Sequence, residues 1–125
     1  MKLRIRDNSI RLRLTQTEVD TAHSTGLVRG RVQFAGSKAF EYILESSPAT
    51  VVPEAHISNN VLTVRVPRMD IQRWAESEQV SISSVQNLDN GSSLRILVEK
   101  DYACLAPREG EDESDMYPHP EVGAK

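Results

Sequence analysis

The side chains of this chain best suited to chemistry are arginines, and their spacing is regular. Arg4, Arg6, Arg11 and Arg13 alternate with apolar residues in the N-terminal stretch MKLRIRDNSIRLRL, and Arg29 and Arg31 repeat the pattern. Arg65 and Arg95 sit in similar settings. The chain holds eleven arginines against four lysines, so the preference is for guanidinium over ammonium. A guanidinium is a planar, permanently charged fork that matches carboxylate or phosphate oxygens two at a time. Arginines two apart on a strand share a face, and adjacent strands can bring several forks onto one ligand. The chemistry implied is capture of an anion, either a phosphate-rich small molecule or an acidic protein segment. The competing reading is a wet sheet face on which the arginines pair across strands with Glu41, Glu45 and Glu99, each pair contributing little.

The same three carboxylates frame the alternative function, a metal-assisted triphosphate or phosphoester hydrolase. That chemistry requires Glu41, Glu45 and Glu99 to face one divalent ion inside one cavity. The remaining reactive residue types point to no reaction centre. Cys104 is the one cysteine, and no histidine is spaced to serve it as a base, so it reads as a small buried thiol. His23, His56 and His119 are scattered and lack the local pairing of a zinc site. Trp74 shares a helical face with Ile71 and reads as a core anchor. Arg29-Gly30-Arg31 lacks the spacing of a phosphate-cradling glycine loop. No catalytic residue, metal or cofactor is therefore expected. The expected ligand-binding residues are Arg4, Arg6, Arg11, Arg13, Arg29 and Arg31. A third reading is an assembly role, in which exposed strand edges pair between copies.

Composition bounds these readings. A chain of 125 residues is one domain with room for a real core. One cysteine forms no internal disulfide, no apolar run has signal-peptide or membrane-span length, and the expectation is a cytoplasmic protein without membrane contact, monomeric or homodimeric. The net charge of −3 is unevenly placed. Bases dominate the first third, whereas Glu109, Glu111, Asp112, Glu113, Asp115 and Glu121 crowd the end. Net acidity and an aromatic content of 5% argue against a nucleic-acid partner. Residues 1–106 read as a single globular domain and 107–125 as an acidic C-terminal tail. That tail is either a mobile solubilising end, a strap held by Met116 and Tyr117, or a segment that folds back onto the arginine face.

The elements that must position the arginines follow from periodicity. Leu3 and Ile5 have one parity and Ile10, Leu12 and Leu14 the other, so Asp7-Asn8-Ser9 must hold a bulge or tight turn between strands at 2–6 and 9–14. Thr15 and Glu18 have capping-box spacing ahead of a helix over 16–24, which Gly26 stops. Strands at 27–34 and 38–45 form a hairpin through Ala35-Gly36-Ser37. A short strand at 55–58 and one at 61–66 flank Asn59-Asn60. Pro67 starts a helix over 68–76. Strands at 78–85 and 93–100 form the last hairpin through Asp89-Asn90-Gly91. No internal repeat stands out. The implied fold class is α+β: a curled antiparallel sheet of six to seven strands, in the limit barrel-like, with two short helices.

Three segments carry a resemblance: KLRIRDNSIRLRLT at 2–15, WAESEQV at 74–80, and LRILVEKDYACL at 94–105 with the following GEDESDMYPHP. Together they resemble a family of small uncharacterised bacterial proteins with no assigned activity. The resemblance implies a single bacterial domain and no chemistry. The RIR at 4–6 and RLRL at 11–14 are also reminiscent of the basic strands of triphosphate-tunnel barrels. The Glu-x-Glu-x-Lys signature of that family is missing from the N-terminus, so this is a fold-level analogy alone.

Overall fold

The computed structural model describes residues 1–102 and 114–118. It contains two helices and eight strands in two four-stranded sheets. Strands β1 (Lys2–Arg6) and β2 (Ser9–Leu14) form a hairpin, followed by helix α1 (Gln16–Thr25). Strands β3 (Leu27–Gln33) and β4 (Ala39–Ser47) form the next hairpin, and β5 (Glu54–Ser58) and β6 (Val61–Pro67) the third. Helix α2 (Arg68–Glu76) leads to the last hairpin, β7 (Ser81–Asn87) and β8 (Ser93–Lys100).

Local chemistry sets these boundaries. Asp7 turns the first hairpin with φ 47°, which explains the parity slip: it is a chain reversal that returns Ile10 and Leu12 opposite Ile5 and Leu3. Asn59 and Asn60, both at positive φ, make the equivalent turn between β5 and β6. Thr15 caps α1 by accepting from the Glu18 N–H, while the Thr15 N–H donates to the Glu18 carboxylate. The Met1 ammonium pairs with the same carboxylate.

The architecture departs from the expected single antiparallel sheet in three ways. Among the described residues there are eight strands, they divide into two sheets, and no barrel closes. One sheet has the order β1-β2-β8-β7 and the other β3-β4-β6-β5. In each sheet the two central strands are parallel, β2 with β8 and β4 with β6. Turn chemistry specifies hairpins between chain neighbours, and it says nothing about which hairpins then lie side by side. The parallel junctions join segments far apart in sequence, so no local signal encodes them.

Those junctions expose a repeat. The chain is two ββαββ units, β1 to β4 around α1 and β5 to β8 around α2, and the units exchange strands so that each sheet takes a hairpin from both. Core positions coincide at one constant offset: Ile10 with Leu62, Leu12 with Val64, Leu14 with Val66, Val19 with Ile71, and Ala22 with Trp74. All ten are buried, and the core they build runs between the sheets and beneath the two helices. The match is carried by core spacing, turns and one ion pair, Arg13–Glu99 with Arg65–Glu45, and is too sparse to stand out in the sequence.

Residues 114–118 dock on this body. The Gln16 N–H donates to Asp115 O at 3.0 Å, and the Tyr117 N–H donates to Asp101 O at 2.8 Å. The Thr17 hydroxyl donates to Asp115 Oδ1 at 2.9 Å. Tyr117 packs against the core and against Tyr102, with ring centroids 5.4 Å apart, and the Lys100 ammonium lies 5.3 Å from its ring centre. Cys104, His119 and the acidic residues other than Asp115 that the sequence singles out near the C-terminus lie outside the described residues.

Candidate anion-binding face

Alternation along each strand sends one set of side chains to the core and the other outward. On the β1-β2-β8-β7 sheet the outward set forms rows fixed by register. One row is Lys2, Arg13, Glu99 and Ser81; the next is Arg4, Arg11, Leu97 and Ser83; the third is Arg6, Ser9, Arg95 and Val85. This face therefore gathers Arg4, Arg6, Arg11 and Arg13, and it adds Lys2 and Arg95. Glu99 is the carboxylate within these rows. It accepts from Arg13 Nε at 2.7 Å and lies 3.5 Å from Arg11 Nε. Lys2 reaches sideways to Asp101, with Nζ 3.2 Å from Oδ2.

Arg4 and Arg11 face each other directly across the β1–β2 hairpin. Like charges directly opposite on neighbouring strands destabilise a sheet. Among the described residues neither Arg4, Arg6 nor Arg95 has an ion pair. Arg4, Arg6, Ser9 and Arg11 surround a cleft of about 180 Å³. It adjoins a second cleft of about 550 Å³, whose walls include Ser9, Arg11, Ser83, Val85, Arg95 and Leu97.

Arg29 and Arg31 are not part of this face. They lie on β3, on the outward side of the other sheet, with Ile43 and Glu41 as their cross-strand neighbours. Among the described residues Arg29 and Arg31 have no ion pair either, and the arginine of that side with carboxylate partners is Arg65. Arg65 Nε donates to Glu45 Oε2 at 2.6 Å and Arg65 Nη1 lies 3.6 Å from Glu54 Oε1. The hydrogen bond that Arg65 donates to Glu45 is the main influence raising the Arg65 pKa above its ordinary value. Glu41 and Glu45 thus belong to the second sheet and Glu99 to the first. The carboxylates that the hydrolase alternative requires around one ion are divided between two faces, and Glu45 and Glu99 are engaged by arginine. Among the described residues no group of three or more His, Cys, Asp and Glu side chains is placed to hold a metal.

Residues 1–121 match the family of unknown function DUF7009. The chain belongs to that family. No curated protein and no solved structure matches it. The arginine face of this DUF7009 member must accordingly be read from its own residues, and the internal repeat provides a comparison. At pseudo-equivalent positions of the second sheet, Arg13 and Glu99 become Arg65 and Glu45, so the ion pair at the parallel junction is kept. Arg4, Arg6, Arg11 and Arg95 become His56, Ser58, Thr63 and Glu41. The same architecture stands without those arginines.

Sequence alternation finds the β1 and β2 arginines because they fall on one hairpin. It does not join Arg95, Leu97 and Val85 to them, since that requires the β2–β8 junction. It also groups Arg29 and Arg31 with them on residue type alone. No helix among the described residues is long and apolar enough to cross a membrane.

Proposed function

We propose that this protein is a non-catalytic binding domain that holds an anionic ligand on the outward face of the β1-β2-β8-β7 sheet. Arg4, Arg6 and Arg11 form the primary contact, with Arg13 and Arg95 beside them. The observation that carries the reading is the direct opposition of Arg4 and Arg11 beside Arg6. The fold bears a repulsive arrangement that its pseudo-equivalent sheet does without, and a bound anion would turn that repulsion into attraction.

Calorimetric titration with pyrophosphate at low and high salt tests this. Binding should weaken with salt, because the site lies on an exposed face where counterions compete for the guanidiniums and screen their summed field over about 10 Å at ~0.1 M. The Arg4→Gln, Arg6→Gln and Arg11→Gln substitutions should each weaken binding several-fold. The paired change Arg29→Gln with Arg31→Gln should leave it unaltered. Equal losses in both sets would mean that overall charge, not this face, attracts the anion.

A further inference from the structure

The arginine cleft does not stand alone. Its neighbour shares Ser9 and Arg11 with it and continues across β8 and β7 over Leu97 and Val85. Val85 is an apolar residue left 60% exposed on the open face of the sheet, and Leu97 is half-buried diagonally across from it. An exposed β-branched residue beside a leucine makes an apolar floor, and Ser83 and Arg95 edge it. The face is therefore graded: Arg4, Arg6 and Arg11 project from β1 and β2, whereas β8 and β7 bring the apolar pair Leu97 and Val85 up beside Arg95. Pseudo-equivalent positions on the second sheet hold Ile43 and Arg31, so the charge-to-apolar grading is confined to this face.

Resting on the anion-site reading above, we infer that the ligand is an organic phosphate monoester. Its dianionic head sits against Arg4, Arg6 and Arg11, and its apolar body lies along Leu97 and Val85. The head presents three acceptor oxygens, which matches three guanidinium forks better than a monoanion does. The distance fits as well. Strands lie about 4.8 Å apart, so the centre of the β1–β2 hairpin and the centre of the β8–β7 hairpin are ~10 Å apart. A phosphate carrying a bicyclic aromatic body spans that distance, and bare phosphate does not. The adjoining cleft, at about 550 Å³, lies within the range typical of small-molecule sites.

Three probes distinguish this inference from the reading on which it rests: inorganic phosphate, naphthyl phosphate and naphthol, each titrated calorimetrically into the full chain. Naphthyl phosphate is expected to bind at least about tenfold tighter than inorganic phosphate, and naphthol alone not measurably. The Val85→Ser and Val85→Thr variants are expected to lose about threefold or more of the naphthyl phosphate affinity and none of the inorganic phosphate affinity. Equal affinity for the two phosphates overturns the inference and leaves the anion site standing. Binding of neither phosphate overturns both. Naphthol binding as tightly as naphthyl phosphate also overturns it, since the head would then be idle.

Discussion

Arg13 donates from Nε to Glu99 Oε1 at 2.7 Å across the parallel junction of β2 and β8. Arg65 and Glu45 repeat the contact at 2.6 Å across the junction of β6 and β4. The two pairs occupy equivalent places in the two ββαββ units, so the contact itself is a feature of the scaffold. On the first sheet, however, Glu99 also lies 3.5 Å from Arg11 Nε, and there it competes with any anion for that guanidinium.

Replacing Glu99 with Gln separates these two roles. The Arg13 side chain is 42% exposed, so screening limits the pair to no more than about 1 kcal/mol of stability. Loss of the carboxylate frees Arg11 and makes the face more cationic. Glu99→Gln should therefore melt slightly earlier and bind pyrophosphate a few-fold tighter, as read by thermal denaturation and calorimetry. Weaker binding would show that Glu99 orients the arginines instead of opposing the ligand.

Trp74 is fully buried, and its indole N–H donates to Val80 O at 3.0 Å. It packs in the common core where the other unit has Ala22, so it fills space that its counterpart leaves to neighbours. Trp74→Ala should cost about 3–5 kcal/mol by emptying that volume. Trp74→Phe keeps most of the volume and removes one of two donors to Val80 O, which still accepts from the Lys100 N–H at 3.0 Å, so the loss should be only about 1 kcal/mol. Chemical denaturation followed by circular dichroism measures both, and an alanine variant as stable as the parent would mean that this end of the core collapses freely.

Much of the fold can be read from the sequence where local chemistry decides it. The helix over 68–76 and the strand over 93–100 follow from the Pro67 start and the Leu94, Ile96, Val98 alternation, and both have those bounds. The β7 strand begins at Ser81 instead of residue 78 because the preceding turn is occupied elsewhere. The Ser77 hydroxyl donates to Arg73 O and accepts from the Gln79 N–H, which ties residues 77–79 to the end of α2. The candidate site is half legible. Arg4, Arg6, Arg11 and Arg13 come together because one hairpin holds them, whereas Arg29 and Arg31 part from them because sheet membership is set by junctions between distant segments.

Gly30 lies opposite Tyr42 in the β3–β4 hairpin, and a Cβ added there would fall within the Tyr42 ring. The ring lies across the glycine, and its hydroxyl donates to Met1 O at 3.0 Å, tying the second sheet to the start of β1. Gly30→Ala must push the ring aside and break that bond, at a cost of about 1–3 kcal/mol. Adding Tyr42→Ala should recover part of the loss relative to the sum of the single changes, because the clash is then gone. Strictly additive losses in a double-mutant cycle would show that the ring and the glycine are independent.

The docked segment at 114–118 predicts a signature at high pH. Burial is the main cause that pushes the Tyr117 hydroxyl up to about 12, with Asp20, Tyr102 and Asp115 adding to it, and burial also raises Tyr102. An unfolded tyrosine ionises near 10. The folded state therefore keeps its proton after the unfolded state has lost it, so Tyr117 contributes its full stabilisation below about pH 10 and loses it as pH rises toward 12. Lys100 acts in the opposite direction: burial lowers its pKa, so the cost of holding its charge inside falls away as pH rises through the range below 10.5. Titration of phenolate absorbance should show a late step near pH 12 that Tyr117→Phe removes. That variant should also show a shallower loss of stability between pH 10 and 12. An unchanged titration curve in Tyr117→Phe would mean that this tyrosine is solvated in solution and that the segment does not hold its place against Tyr102 and Asp101.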